Sequence, residues 1–477
     1  MTKTLASDRL ADETPPLMNN FPQRDYADVS ERSELVRQTS LAVANAQSPP
    51  GECFVFGTGD NGQLGMGEDV VELARPRLLD TIPGVNAASV IKICCGGMHT
   101  LAVCQGGLMY SWGVNDEGAL GRVTRKGAAD EESKPGLVTL PSNAGGVVDV
   151  STGDSHVAVV TSTGAIVAWG CFRNSSGQWA FTAGEKICKT PTVVYSPDGS
   201  QGSYATNVAS GTDHVLALTR RGDVYSWGCP EKGRLGRVNA AEADDAEARG
   251  PEKTKPLVTP AKVPNITAVV TAVVAGDNHS FAICAGDDVV YAWGLNSYGQ
   301  TGLPYDPANP GSTQTSYFPV AVPSLRGLGI ASGDGGSTHT TMLTRDGKVY
   351  TFGRPAYGRL GQLGIDPRDD EPKPLPGLVH GLDGSKVKIV SVAAGGSGSN
   401  AAVTADGEAY VWGYGMEGNL GRGDDCDDAH VPERLVPTRA MAGKKIVAVS
   451  FGGQHTAALC VGGVDGNGSP GGKRART

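Results

Sequence analysis

The stretch "FVFGTGDNGQLGMG" (residues 54–67) places Gly57-x-Gly59-x-x-Gly62 directly after a short apolar run. A dinucleotide-binding fold needs that pattern after a strand, with a helix opening on its last glycine. Here Gln63-Leu64-Gly65-Met66-Gly67 adds two glycines where the helix would begin, and glycine costs about 1 kcal/mol per residue in a helix. The glycines of this stretch therefore serve turns, and aligning the chain with itself shows which turns.

The same unit recurs along the chain. It reads "VIKICCGGMHTLAVCQGGLMYSWGVNDEGALG" from Val90, "VVDVSTGDSHVAVVTSTGAIVAWGCFRNSSGQW" from Val147 and "IASGDGGSTHTTMLTRDGKVYTFGRPAYGRLG" from Ile330. The glycine closing each aromatic-Gly step falls at 57, 113, 170, 228, 294, 353 and 413, at intervals of 56 to 66 residues. Within a unit, Val147–Ser151 rises to the turn Gly153-x-x-His156 and Val157–Thr161 returns. Ala165–Trp169 rises again, and a glycine-rich loop leads to a last strand near Pro191–Tyr195. Repeated four-stranded units of this length predict an all-β fold, a seven-bladed β-propeller. The last unit, from Lys444, supplies two strands only, and "CFVF" at 53–56 supplies the missing third strand. The terminal strands are thus expected to close the ring without an exposed sheet edge.

Composition agrees. Glycine, 68 of 477 residues, is about twice its usual share of ~7%, as many tight turns require. There is no run of about 18 apolar residues, so no membrane-spanning helix is expected. The N-terminus lacks the apolar core of a signal peptide, so synthesis in the cytosol is expected. Ten scattered cysteines without a C-x-x-C pair read as small buried hydrophobes. The net charge of −9 argues against a surface that coats nucleic acid generally. Six of eight histidines, at 99, 156, 214, 279, 339 and 455, share the G-x-x-H position and read as turn-stabilising groups. The acidic run at 423–430 reads as a solvated loop. The "DGNGS" from Asp465 has Arg476 where a calcium loop needs Glu, so no metal and no cofactor are expected. Residues 1–50 read as a disordered N-terminal tail, 51–462 as the propeller and 463–477 as a basic C-terminal tail.

G-x-x-H, a short apolar run, aromatic-Gly and G-x-L-G in this order resemble the regulator of chromosome condensation family over about residues 52–462. "GDNGQLGMGEDV" at 59–70, "STGDSH" at 151–156, "CFRNSSG" at 171–177 and "SFGGQHT" at 450–456 resemble the founding member's own segments. The resemblance implies a guanine-nucleotide exchange factor for the small GTPase Ran, with no covalent bond formed or broken. It also implies a nuclear, chromatin-associated protein supporting nucleocytoplasmic transport and assembly of the spindle and nuclear envelope. The alternative is a propeller scaffold without exchange activity. Asp154, Asp213 and His455 match the family's catalytic positions, and Asp60 matches a GTPase contact. Arg173, Asn174, Ser175, Ser176 and Gly177 match its wedge hairpin. The G-x-x-H turns and the loops after aromatic-Gly both follow upward strands, which puts these residues on one edge of the ring. Asp213 occupies a variable turn position and is expected to point outward. Asp287, after a downward strand, is expected on the opposite face.

The family has a second functional histidine just before a repeat histidine, where this chain has Thr338-His339, and the turn at 396–399 carries Ser399. The insertion Arg237–Thr259 resembles the family's chromatin arm, with Arg249 the candidate for contact with histones of the nucleosome. Lys473, Arg474 and Arg476 are the candidates for importin recognition or for DNA phosphates.

The closure predicts two different truncations. Deleting residues 1–50 leaves the melting temperature nearly unchanged, whereas deleting 1–58 strips a strand from the joining blade and abolishes the cooperative transition. Equal melting curves for the two would refute the closure.

Overall fold

In six of the blades the second strand is buried along its entire length, as in His99–Cys104, His156–Thr161, His214–Thr219, His279–Cys284, His339–Thr344 and Ser399–Thr404. A strand whose two faces are both apolar needs a neighbour on each side, and a ring of sheets supplies it. The computed structural model describes residues 49–462, except 85, 126–127, 244–250, 287, 307, 309–313 and 424–426.

Seven four-stranded antiparallel sheets form the blades, six of them with their strands in chain order from the axis outward. Blade 1 runs Val90–Cys95, His99–Cys104, Met109–Gly113, Gly136–Val138, and blade 2 runs Val147–Thr152, His156–Thr161, Ile166–Gly170, Cys188–Tyr195. Blades 3 to 6 begin at Ala205–Ser210, Val270–Ala275, Ile330–Gly335 and Ile389–Ala394. Blade 7 joins the two chain ends. Lys444–Phe451 and His455–Gly462 are its inner strands, while Glu52–Thr58 and Glu72–Leu78 are its outer ones. Glu52 pairs with Cys460 and Gly57 with His455, so the expected closure is present. Apolar clusters lie between neighbouring blades; Leu101, Val157 and Trp169 fill the boundary of blades 1 and 2, and Leu216, Val270 and Trp293 that of blades 3 and 4. The nine described cysteines are buried and unpaired.

The repeat residues explain why the blades fit one another. A Cβ on Gly96, Gly153, Gly211, Gly276, Gly336 or Gly452 would overlap the imidazole of the histidine three residues on. The absence of a side chain therefore lets that ring fold back over its own turn. From there Nε2 reaches the next blade. His455 meets Thr100 Oγ1 at 2.7 Å, His214 meets Ser280 Oγ at 2.8 Å, and His279 meets Thr340 Oγ1 at 2.8 Å. His339 meets Asn400 Oδ1 at 2.9 Å. Each of the three hydroxyls in turn donates to a carbonyl of the Gly-x-x-Gly loop in the preceding blade, at Gln63, Arg234 and Gln300. A hydroxyl that donates onward must accept from the ring, so Nε2 carries the proton. The tryptophans add a second tie, as Trp112, Trp169, Trp293 and Trp412 donate Nε1–H to carbonyls of that same loop in the preceding blade.

Burial keeps these imidazoles neutral. It lowers His99 and His339 to about 4, His156, His279 and His455 to about 3, and His214 well below the usual range. An unfolded histidine titrates near ~6.5. Between pH 6.5 and 4 the unfolded chain therefore binds up to six more protons at these positions, and stability falls as pH falls through that window. Partly buried carboxyls on the axial side oppose this, because desolvation raises Asp277 to about 6 and Asp334 to about 7, and raises Asp154 and Asp213 as well. Six imidazoles outnumber these carboxyls, so unfolding still takes up protons near pH 5. The melting temperature should thus drop steeply between pH 6 and pH 5, and calorimetry showing equal values at those two pH values contradicts the neutral-histidine ring.

Candidate functional site

The G-x-x-H turns meet around one mouth of the axial channel and are joined there by main-chain hydrogen bonds. Gly453 N donates to Gly97 O, Gly97 N to Asp154 O, Asp154 N to Thr212 O, Thr212 N to Asp277 O and Asp277 N to Gly336 O, at 2.9–3.2 Å. Blade 6 interrupts the series. Its turn is one residue longer, closed by Gly395 N to Ser399 O, and has no histidine. The loops after aromatic-Gly stand on the same edge, so this face carries both sets of expected residues.

Blade 2 departs from the repeat there. In place of G-x-L-G it has a separate two-stranded hairpin, Phe172–Asn174 with Gly177–Ala180, whose tip residues Ser175 and Ser176 are exposed. The hairpin is rooted by Phe172, buried and stacked on Phe181 at 5.0 Å. Carboxylates from both adjoining blades hold its stem. Glu117 of blade 1 reaches Arg173 at 3.4 Å and accepts from Gln178 at 3.3 Å. Glu231 of blade 3 accepts from Ser175 N at 3.0 Å and Ser175 Oγ at 2.8 Å. Asp154 lies 3.6 Å from Arg173 Nη1. Burial raises the Asp154 carboxyl, and Arg173 partly offsets it. The departure has a local cost, for the Nε1–H of Trp227 finds no loop carbonyl and has no hydrogen-bond partner among the described residues.

The structure corrects the expected orientation of Asp213. Its side chain turns inward, 5% exposed, where Oδ1 accepts from Arg173 N at 2.7 Å and Oδ2 pairs with Arg234 at 3.0 Å. Burial raises its carboxyl, with Arg234 the main opposing influence. A variable turn position looks free in the sequence because neither the hairpin main chain nor the buried Arg234 is visible there. His455 is also fully buried, and its ring takes the shared position on Thr100. Asp60 is exposed on the blade 7 loop. His339 occupies the repeat position, and Thr338 stands partly buried beside it. The structure thus brings together Asp154, Asp213 and residues 173–177, with Asp60 and His455 in a different blade. Sequence reasoning missed Glu117, Glu231 and Arg234 as supports of the hairpin; the acidic residues in the loops on either side of "CFRNSSG" were the available signal. Arg249, Asp287, Lys473, Arg474 and Arg476 lie outside the described residues.

The model of the RCC1-like domain matches residues 52–458. The chain belongs to the regulator of chromosome condensation family. The human regulator of chromosome condensation is 34% identical over 94% of this chain and 97% of its own length. The guanine nucleotide exchange factor SRM1 of Saccharomyces cerevisiae is 32% identical over 85% of this chain and 86% of its own. The crystal structure of Prp20p from Saccharomyces cerevisiae, described with its binding properties to Gsp1p and histones, matches with a TM-score of 0.74 at 30% identity. That match covers 87% of this chain and 92% of Prp20p.

Asp213→Ala leaves the 3%-exposed Arg234 without its nearest carboxylate and releases the hairpin stem, which should cost about 3–5 kcal/mol of stability. Asp154→Ala removes a half-exposed group and should cost less than about 1 kcal/mol. Urea unfolding of the two variants distinguishes them, and equal midpoints refute the anchoring role of Asp213.

Proposed function

We propose that this chain is a guanine-nucleotide exchange factor for the small GTPase Ran, working in the nucleus on chromatin. The observation that carries the reading is the hairpin of blade 2, a rigidly braced projection that replaces a repeat loop on the face where the turns converge. Membership of a family that includes a named exchange factor, and a structural match to Prp20p with its described binding to Gsp1p and histones, support it.

The chemistry is displacement, with no covalent step. The phosphate site of a GTPase is lined by Lys and Arg and by main-chain N–H groups. A polar tip of Asn174, Ser175 and Ser176, backed by Asp154, Glu117 and Glu231, offers hydrogen-bonding groups and negative field to that region as the nucleotide leaves. Stabilising the nucleotide-free complex lowers the barrier to GDP release, and GTP then rebinds. Asp213 acts here by holding the main chain of Arg173, and Asp60 supplies a contact from blade 7. His455 acts as a positioning residue through Thr100 at the junction of blades 7 and 1. Arg249 and the tail residues Lys473, Arg474 and Arg476 are proposed for chromatin and import contacts.

Removing Ser175 and Ser176 tests the mechanism without touching the core. Lost charge-assisted contacts of roughly 1.5–3 kcal/mol translate into GDP release slower by about ten- to a hundredfold, at an unchanged melting temperature. Release of a fluorescent GDP from Ran is the measurement. If the unaltered protein binds Ran without speeding release, the scaffold reading replaces this one.

A further inference from the structure

Two loops on the docking edge share the sequence Gly-Arg-Leu-Gly, at 233–236 and 358–361. In the first, Arg234 is 3% exposed and is neutralised by Asp213 at 3.0 Å, with Glu231 at 4.0 Å. The second arginine, Arg359, is similarly buried at 6%. The residues at the two carboxylate positions, however, are now Thr338 and Ala356. Its guanidinium turns towards blade 6 and lies against Gly398, where a Cβ would overlap Nε. Nη2 is 3.5 Å from the Ser397 carbonyl, and Nε and Nη1 have no hydrogen-bond partner among the described residues. The carboxylates nearby are engaged elsewhere. Asp370 forms a two-point bond with Arg354 at 2.5 and 2.9 Å, and Asp428 accepts from Gly415 N at 3.0 Å. A guanidinium does not shed its proton in a protein, so this charge stands buried with no carboxylate in direct contact among the described residues, and Asp370 and Asp428 act on it only from a distance.

A second observation marks the same spot. Tyr357, two residues before Arg359, has φ 64°, the left-handed conformation that Lys232 (φ 59°) takes at the matching position of the first loop, so the difference between the two loops lies in the aromatic side chain. Its ring covers the guanidinium at 4.9 Å, meets Tyr414 edge-on at 5.7 Å, and is 43% exposed. An aromatic pair around an arginine is the composition of an interface anchor. In a ring of seven, the boundary of blades 5 and 6 stands opposite blade 2 and its hairpin.

We propose that Arg359, framed by Tyr357 and Tyr414, receives an acidic side chain of the docked GTPase and forms a second anchor across the channel mouth from the hairpin. The assignment rests on the exchange-factor reading above. A carboxylate matches the planar fork of the guanidinium in two parallel bonds, and it completes in the complex the pairing that Arg234 has within the free protein.

Steady-state exchange with Ran, read as KM and kcat, provides the test. Arg359→Gln should raise KM about tenfold, with a smaller effect on kcat. The double variant Thr338→Asp, Ala356→Glu restores the missing carboxylates internally. It should raise the melting temperature and also raise KM, because the guanidinium is then already satisfied. A wild-type KM in both variants overturns the second anchor while leaving the exchange function intact. Failure of the unaltered protein to release GDP overturns the reading on which it rests. Inorganic phosphate distinguishes the other source of an oxyanion. If it raises the melting temperature of the unaltered protein but not of the double variant, and KM is insensitive to both sets of changes, the site takes free phosphate and the partner assignment is wrong.

Discussion

The packing of an imidazole against the bare main chain of its own turn is the contact from which the rest of this ring is built. The turn glycine must lack a Cβ for the ring to lie there, and only from there does Nε2 meet a hydroxyl or amide of the next blade. That group sits one residue after the next repeat position, so the register of each strand is tied to the turn of its neighbour. Because the blades form a closed circle, an error at one boundary would have to be absorbed by all seven. The interaction is therefore better described as a spacing constraint than as a sum of separate hydrogen bonds.

Blade 2 shows what it takes to depart from that constraint. The positions that would accept from His99 and His156 are Val157 and Val215, and the Nε2 atoms of both rings have no partner among the described residues. Together with the indole of Trp227, this takes the repeat's own side-chain ties away from the boundaries of the hairpin-bearing blade, where Glu117, Asp213 and Glu231 supply others. The inner strands compensate. Lys92 of blade 1 pairs with Asp149 of blade 2, which accepts from Val208 N of blade 3 at 3.1 Å, while Ser151 accepts from Ser210 N at 2.9 Å. Local rules are broken at the hairpin proposed to act on the GTPase, and other cross-blade bonds are made nearer the axis.

Much of this was legible in the sequence. The spacing of aromatic-Gly steps set the number of blades, and the two-strand final unit set the closure, because both follow from periodicity. The hairpin was visible as the one loop without a Gly-x-x-Gly step after aromatic-Gly, since blade 4 keeps that step as Gly299-Gln300-Thr301-Gly302. The inward turn of Asp213 was not visible, since its partners are Arg234, twenty-one residues away, and a main-chain N–H forty residues away in another blade. The solitary state of Arg359 was hidden for a similar reason. "YGRLG" reads as one more repeat until the Thr338 and Ala356 positions are compared in space with Asp213 and Glu231. Periodicity locates a residue on an edge, but the direction of its side chain depends on charges supplied by other turns.

Blade 7 also sets an order of events during translation. Glu52–Thr58 and Glu72–Leu78 leave the ribosome first, yet their partners His455–Gly462 and Lys444–Phe451 are made only after six complete blades. At about 5–20 residues per second, this early pair waits roughly 20 to 70 s for its other half. Phe54, Val55 and Phe56, all fully buried in the finished ring, have no inner sheet to cover them during that interval. The nascent chain consequently carries an adhesive β-edge for nearly the whole of its synthesis, and shielding that edge is a demand placed on the cell by the same closure that protects the mature protein.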